Sequence, residues 1–357
     1  MGINGAFWKG RRVFLTGHTG FKGSWLSLWL QQLGAKITGY ALEPPTTPSI
    51  FKETKVSTVL EKSIIGDILD ADFFLKSVQR AEPEIIIHMA AQSLVRHSYV
   101  DPVGTYATNV MGTVNMLEAA RNTATVRAVL NITTDKCYEN KEWIWGYREN
   151  EPMGGDDPYS SSKGCAELVS TAYRKSFLKN KGIGFATARA GNVIGGGDWA
   201  KDRIIPDAMR AFIKNEPLLV RNPASTRPWQ HVLEPLSGYI MLCQKLIEQP
   251  ENFTEGWNFG PINEDAQPVS VLADVMVASW GGKAKWELDK DSHPHEARYL
   301  SLDCTKANRK LNWHPVWRLE RALEETVNWY KAWHQKLDMH EFTLRQIEIY
   351  QQEHLAK

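Results

Sequence analysis

The sequence predicts an α/β fold, a doubly wound and mostly parallel sheet followed by a smaller mixed lobe, and three observations predict it. Short apolar runs alternate with amphipathic segments through the first half of the chain; a Gly17-x-x-Gly20-x-x-Gly23 loop stands at the first strand-to-helix junction; and the alternation fades after Ala190 into Pro- and Trp-rich turns. Residues 12–16 form the first β-rich run, and 24–33 after the glycine loop show helical spacing, closed by Gly34. A second strand is expected over 36–42. The tract with Pro44, Pro45 and Pro48 must be loop, because proline cannot sit in a central ladder. The pattern repeats with a strand at 64–67, a helix at 70–81 and a buried parallel strand at 84–91. Asp101-Pro102 opens a helix whose apolar stripe is Val103, Tyr106, Val110, Val114 and Leu117. A strand at 127–133, a helix from Tyr159 to about residue 179 and a strand at 185–189 complete the alternation. The sheet domain is therefore expected over 1–191 plus about 229–260, where a helix at 236–248 and the run around Trp257 can return to the sheet. The smaller lobe takes about 192–228 and 261–357 and ends in a helical tail whose last residues are expected to fray.

Composition narrows the functional classes. Forty-two Lys and Arg stand against 41 Asp and Glu, so no global field points to nucleic acid or a membrane surface as partner. The four cysteines are scattered without metal-ligand spacing, which fits reduced thiols in a cytoplasmic protein with no metal. The N-terminal segment lacks a signal-type apolar core, and no stretch of about 18 uninterrupted apolar residues occurs. Of the 14 tryptophans, most are expected in the core and a minority near ligand. His18, His88 and His231 are expected to be polar structural residues.

The glycine loop follows a strand and opens a helix, the context that gives such a loop meaning. Glycines allow the tight turn and close backbone approach to a pyrophosphate, and the helix N-terminus offers it free N–H groups. A Rossmann-type dinucleotide site is expected at Gly17, Thr19, Gly20, Phe21, Lys22 and Gly23. The acidic residue that usually ends the second strand is replaced by Ala41, with Glu43 two residues on. Glu43 can reach the ribose and repel a 2′-phosphate, and no arginine lies in 41–47, so NAD is preferred over NADP. Asp67 can bond the adenine amino group or act as a turn carboxylate.

Tyr159 and Lys163 lie at i and i+4 on one helix face. A tyrosine with a reference pKa near ~10 is a poor base at neutral pH, but a nearby ammonium and an oxidised nicotinamide would both favour its phenolate. Alone, this spacing is common on surface helices. Thr133-Thr134-Asp135-Lys136 adds further proton-transfer groups, although the run can also be read as a strand-ending turn.

With the glycine loop, His88-x-Ala90-Ala91 and the Tyr-x-x-x-Lys pair in order, the chain resembles the extended short-chain dehydrogenase/reductase family over nearly its whole length. Thr134-Asp135 before the Tyr159 helix is similar to the nucleotide-sugar 4,6-dehydratases of that family. Segments 191–199 and 227–235 resemble the dehydratases acting on CDP-glucose. The resemblance implies further NAD contacts at Ile68, Ala90, Ala91, Asn109, Thr133, Tyr159 and Lys163, and a CDP-sugar substrate held by Gln92, Asn192, Arg203, Arg227, Gln230, Arg298 and Tyr299. Arg189 is another diphosphate candidate, although a structural ion pair is the commoner role for any single arginine. The resemblance also implies a homodimer or homotetramer, and that Thr134 and Tyr159 hold the sugar 4-hydroxyl while Asp135 protonates the departing 6-hydroxyl. Lys136 stands where relatives acting on dTDP-glucose or GDP-mannose usually carry glutamate, and is either the base for the C5 proton or the partner that holds Asp135. A nucleotide-sugar 4-epimerase is one competing expectation, disfavoured by Asp135 and Lys136. A non-catalytic NAD-binding sensor is another, disfavoured by the intact Tyr159/Lys163 pair.

Overall fold

The computed structural model describes residues 2–291 and 299–355. Its central sheet comprises β1 (Arg12–Thr16), β2 (Lys36–Ala41), β3 (Lys62–Ile65), β4 (Ile85–His88), β5 (Ala128–Ile132), β6 (Gly184–Arg189) and β7 (Gly256–Asn258). All are parallel, in the spatial order β7-β6-β5-β4-β1-β2-β3. The order reverses beside β1, and the crevice at such a switch point is where ligands of doubly wound sheets bind.

Side-chain alternation along the strands builds a core on each face. Val13 and Leu15 of β1, with Ile85 and Ile87 of β4, pack toward α1 (Phe21–Gln32). Phe14 and Ile86 point the other way, into a second cluster with Phe74 of α2 (Ala71–Ala81) and Leu117 of α3 (Gly112–Arg121). The site helix α4 (Pro158–Tyr173) packs beside α3, while α5 (Leu233–Glu248) lies over β5 and β6.

Several elements differ in extent from the sequence reading, each for a local reason. Helix α1 starts at Phe21 rather than at 24, because Gly20 takes the extended cap conformation and releases Phe-Lys-Gly into the first turn. The strand expected at 64–67 lies at Lys62–Ile65, since Gly66 N–H closes the ladder on Ala41 O and leaves Asp67 in a turn. β4 stops at His88, where Met89 and Ala90 N–H turn to the Thr16 hydroxyl. The Pro102 helix is interrupted by a π-helical turn at Ala107–Met111 before α3. Its apolar stripe is divided: Leu117 is buried, whereas Val103 is 79% exposed.

Beyond β6, short pairings tie loops together. Val193–Ile194 runs parallel to Gln230–His231, and Thr226–Pro228 antiparallel to Ala266–Pro268. The helix α6 (Met339–Leu355) lies on α1, with the rings of Trp29 and Tyr350 5.5 Å apart. Tyr350 donates at 2.7 Å to the buried carboxylate of Glu234, which also accepts the N–H groups of Val316 and Trp317. Fraying at residues 356 and 357 concerns positions outside the described residues. Among the described residues no helix is long and apolar enough to cross a membrane.

Candidate active site

The glycine loop is a backbone cradle with no room for side chains. Gly17 has φ +76°, and a Cβ there would come within 2.8 Å of Ala90 N; one on Gly23 would overlap the Gly17 carbonyl. Gly20 caps α1 with no side-chain acceptor, so the first-turn N–H groups are left for an external anion. Thr19 donates to Leu42 O at 2.8 Å and ties the loop to the end of β2. These features fit a dinucleotide pyrophosphate. Glu43 is exposed beyond β2, and Ile68 packs buried under Gly112. Asp67 takes the turn role in this arrangement, its Oδ1 accepting Leu69 N–H at 2.9 Å.

At the C-terminal ends of β4 and β5 the catalytic candidates converge. Asp157 caps α4 through Ser160 N–H at 2.9 Å, and Pro158 occupies its first turn, which brings Tyr159 and Lys163 round to β5. Lys163 Nζ donates to Ile132 O at 3.2 Å. The Tyr159 phenol shares a hydrogen bond with Thr134, whose hydroxyl donates to Asp135 Oδ1 at 2.9 Å. Burial pushes the phenol up to about 12, with Thr134 and the Arg203 guanidinium pulling the other way. Burial lowers the Lys163 ammonium to about 8, against the Glu167 carboxylate.

Asp135 is buried, and burial raises its carboxyl above the usual range despite the charges of Lys136 and Arg227. Among the described residues its Oδ2 has no hydrogen-bond partner, and Gly191 leaves it space that any Cβ would fill. The result is a carboxyl group biased toward its protonated form, with one buried oxygen packed over Gly191. Lys136 follows it in the 3₁₀ turn Asp135–Cys137, half-buried.

Supporting residues lock this frame. Asn109, on the π turn, bonds both backbone groups of Gln92 and donates to Ser162 at 2.9 Å. The Gln92 side chain is engaged with Leu94 and Thr105. Thr133 donates to Glu167 at 2.6 Å. His88 shares a 2.8 Å hydrogen bond with Thr16; since Thr16 Oγ1 already accepts two backbone N–H groups, its own proton goes to Nδ1. His88 is thus a buried neutral strut, lowered to about 3 by burial.

On the substrate side, Arg203 pairs with Asp198 at 2.8 Å and reaches Ser93, and Arg227 acts on Asp135 from the Thr226–Pro228 strand. Asn192 has φ +40°, and Gln230 spends its amide nitrogen on Gly191 O and Phe259 O. Tyr299 is half-buried, its carbonyl bonded by Asn140; Arg298 lies outside the described residues.

One candidate is corrected. Arg189 is not a diphosphate ligand: it is buried under the site in a bidentate pair with Glu167, at 2.8 and 2.9 Å, and donates to Tyr138. Sequence reasoning missed Tyr239, a fully buried tyrosine of α5 whose hydroxyl has no hydrogen-bond partner among the described residues and which feels the charges of Asp135 and Tyr159. It carries no signal in the sequence, since it sits in a long apolar helix.

Residues 14–326 match the model of the GDP-mannose 4,6 dehydratase family. The chain is 57% identical, over 98% of its own length and 98% of the relative's, to a CDP-glucose 4,6-dehydratase of Salmonella typhimurium. Its fold is similar to that of dTDP-glucose 4,6-dehydratase from Bacillus anthracis, solved in complex with NAD, with TM-score 0.75 and 20% identity over 90% of this chain and 97% of that one. UDP-glucose 4-epimerase from Thermotoga maritima gives TM-score 0.78 at 20% identity, over 89% and 98%.

Proposed function

The chain belongs to the GDP-mannose 4,6 dehydratase family, and from that premise we propose that it is a CDP-glucose 4,6-dehydratase using NAD. It converts CDP-D-glucose into CDP-4-dehydro-6-deoxy-D-glucose and water. The observation that carries this reading is Asp135: a buried carboxyl whose burial favours its acid form, one oxygen fixed by Thr134 and the other buried without a hydrogen-bond partner among the described residues. Oxidation or epimerisation at C4 needs no such acid, whereas expulsion of a 6-hydroxyl does. The nucleobase assignment is supported by the 57% identity with the Salmonella typhimurium enzyme.

NAD, when bound, supplies a hydride store that is filled from the sugar C4 and emptied to C6. The glycine cradle and the α1 N-terminus would hold its pyrophosphate, with Lys163 and Tyr159 at its reacting end and Glu43 near its ribose. Tyr159 takes the 4-hydroxyl proton while Thr134 orients the oxygen, and Thr134 and the Arg203 guanidinium favour the phenolate against burial. The C4 ketone then acidifies H5. A base removes that proton as Tyr159 and Thr134 stabilise the enolate oxygen, and Asp135 delivers its proton to the leaving 6-hydroxyl. Lys136, next along the chain, is assigned as the base for H5, a role that requires its neutral amine; the rival assignment keeps it an ammonium that holds Asp135. Arg203 and Arg227 hold the substrate's diphosphate. The chain has a sheet domain at 1–191 plus about 229–260, a substrate lobe over the rest, and assembles as a homodimer or homotetramer.

The test is incubation of the purified protein with CDP-, dTDP-, UDP- and GDP-sugars side by side, read by the alkaline absorbance of a 4-keto-6-deoxy sugar. Product from CDP-glucose alone is the expected result. Absence of product and of sugar consumption would overturn the reading.

A further inference from the structure

Lys22 sits in the first turn of α1, where phosphate binding asks only for backbone N–H groups, yet its ammonium approaches a ring on another helix. Its Nζ stands 5.9 Å from the ring centroid of Tyr239, the buried tyrosine of α5 with the unpartnered hydroxyl. The charges that act on it are those of the reacting centre: the cations Lys163 and Arg203, opposed by Asp135. Tyr239 in turn feels Asp135 and Tyr159. Lys22 and Tyr239 therefore stand together within electrostatic reach of the catalytic groups. Two orphaned polar atoms, Asp135 Oδ2 and the Tyr239 hydroxyl, are buried in that region.

An ammonium half-withdrawn from water beside two other cations is costly, and desolvation with those neighbours lowers it to about 8. Such a group is expected where its charge acts on something that changes charge during the reaction. The nicotinamide does so: it carries one positive charge when oxidised and none after receiving hydride. We propose that the Lys22 ammonium, stationed over Tyr239 at the reacting end, biases the bound cofactor toward its reduced form. The charge makes the oxidised ring a stronger acceptor for the C4 hydride and removes the repulsion once hydride has moved. Reduced cofactor is then retained through the elimination until hydride returns to C6. This inference rests on the NAD-dependent dehydratase reading.

Pyrophosphate binding is the competing role for Lys22, and a partition measurement separates the two, because both oxidation states carry the same pyrophosphate. The full chain is equilibrated with defined mixtures of NAD and NADH and freed of unbound nucleotide. The reduced fraction retained is then read by near-ultraviolet absorbance, for the wild type, Lys22→Met, Lys22→Gln and Lys22→Arg. Charge removal is expected to lower the NADH-over-NAD preference about tenfold, the scale of one unit charge several ångströms away at intermediate dielectric. Lys22→Arg should keep the wild-type preference. Lys22→Gln carries the test if the Met variant does not give a cooperative melt. Weaker retention of both forms with an unchanged ratio, or no change at all, overturns the inference and leaves the dehydratase reading standing. Failure of the wild type to retain either nucleotide overturns the reading itself.

Discussion

Asp135 is the residue on which the chemistry turns, and its behaviour is set by three neighbours: Thr134 on one oxygen, space above Gly191 for the other, and Lys136 next along the chain. Asp135→Asn keeps the shape and removes the proton donor. It should leave C4 oxidation intact, slow elimination by about 10²–10⁴-fold and let reduced cofactor accumulate on the enzyme. Undiminished dehydration by this variant would refute the acid role. For Lys136 the informative readout is isotope exchange. Lys136→Met should abolish exchange of H5 with solvent, and retained exchange would assign the lysine to supporting Asp135 instead. At this scale the sequence was informative wherever residue types are unusual neighbours, as in Thr134-Asp135-Lys136. It misled at Arg189, because the partner that neutralises it, Glu167, sits on another element. Tyr239 was unreadable for the same reason: its isolation is a fact of packing.

Elements carry the site in two layers. The upper layer is the glycine loop and α1, where the tolerances are steric. Gly23→Ala places a methyl group against the Gly17 carbonyl and should cost about 1–3 kcal/mol while abolishing NAD retention; normal retention would mean that the loop can open without loss. Beneath lies the Glu167–Arg189 pair, which joins α4 to β6 and braces Thr133. Glu167→Ala strands a buried guanidinium and should lower unfolding stability by about 3–5 kcal/mol, read from denaturant midpoints. A change under about 1 kcal/mol would show that water reaches Arg189. Strand and helix identities were legible from apolar period, but the π turn at Ala107–Met111 was not. No residue preference marks the extra residue there, although that turn is what presents Asn109 to Gln92 and Ser162.

The whole molecule adds two expectations. Burial holds His18, His88 and His231 at about 4, 3 and 3, below their ordinary value near 6.5. The unfolded chain therefore takes up protons that the folded one refuses. The contribution is intact above about pH 6.5 and falls with acidification by up to ~1.4 kcal/mol per pH unit for each histidine. Melting midpoints should drop steeply between about pH 6.5 and 4.5, and a flat profile would contradict the neutral, buried assignments. The second concerns assembly. Val100, Val103 and Leu168 are 81%, 79% and 61% exposed on neighbouring helices, an apolar face that fits helix-to-helix association of two copies. Val103→Glu combined with Leu168→Glu should shift the elution volume to that of a monomer, and an unshifted peak would place the subunit contact elsewhere. The packing of α6 on α1 bears on how the protein is made. A helix near the start of the chain is covered by one synthesised far later, and the Tyr350 hydroxyl that completes the Glu234 cluster arrives only with it. Residues through Tyr350 must therefore be synthesised before the helix behind the glycine loop acquires its outer wall, so this part of the packing cannot form while only the first half of the chain exists.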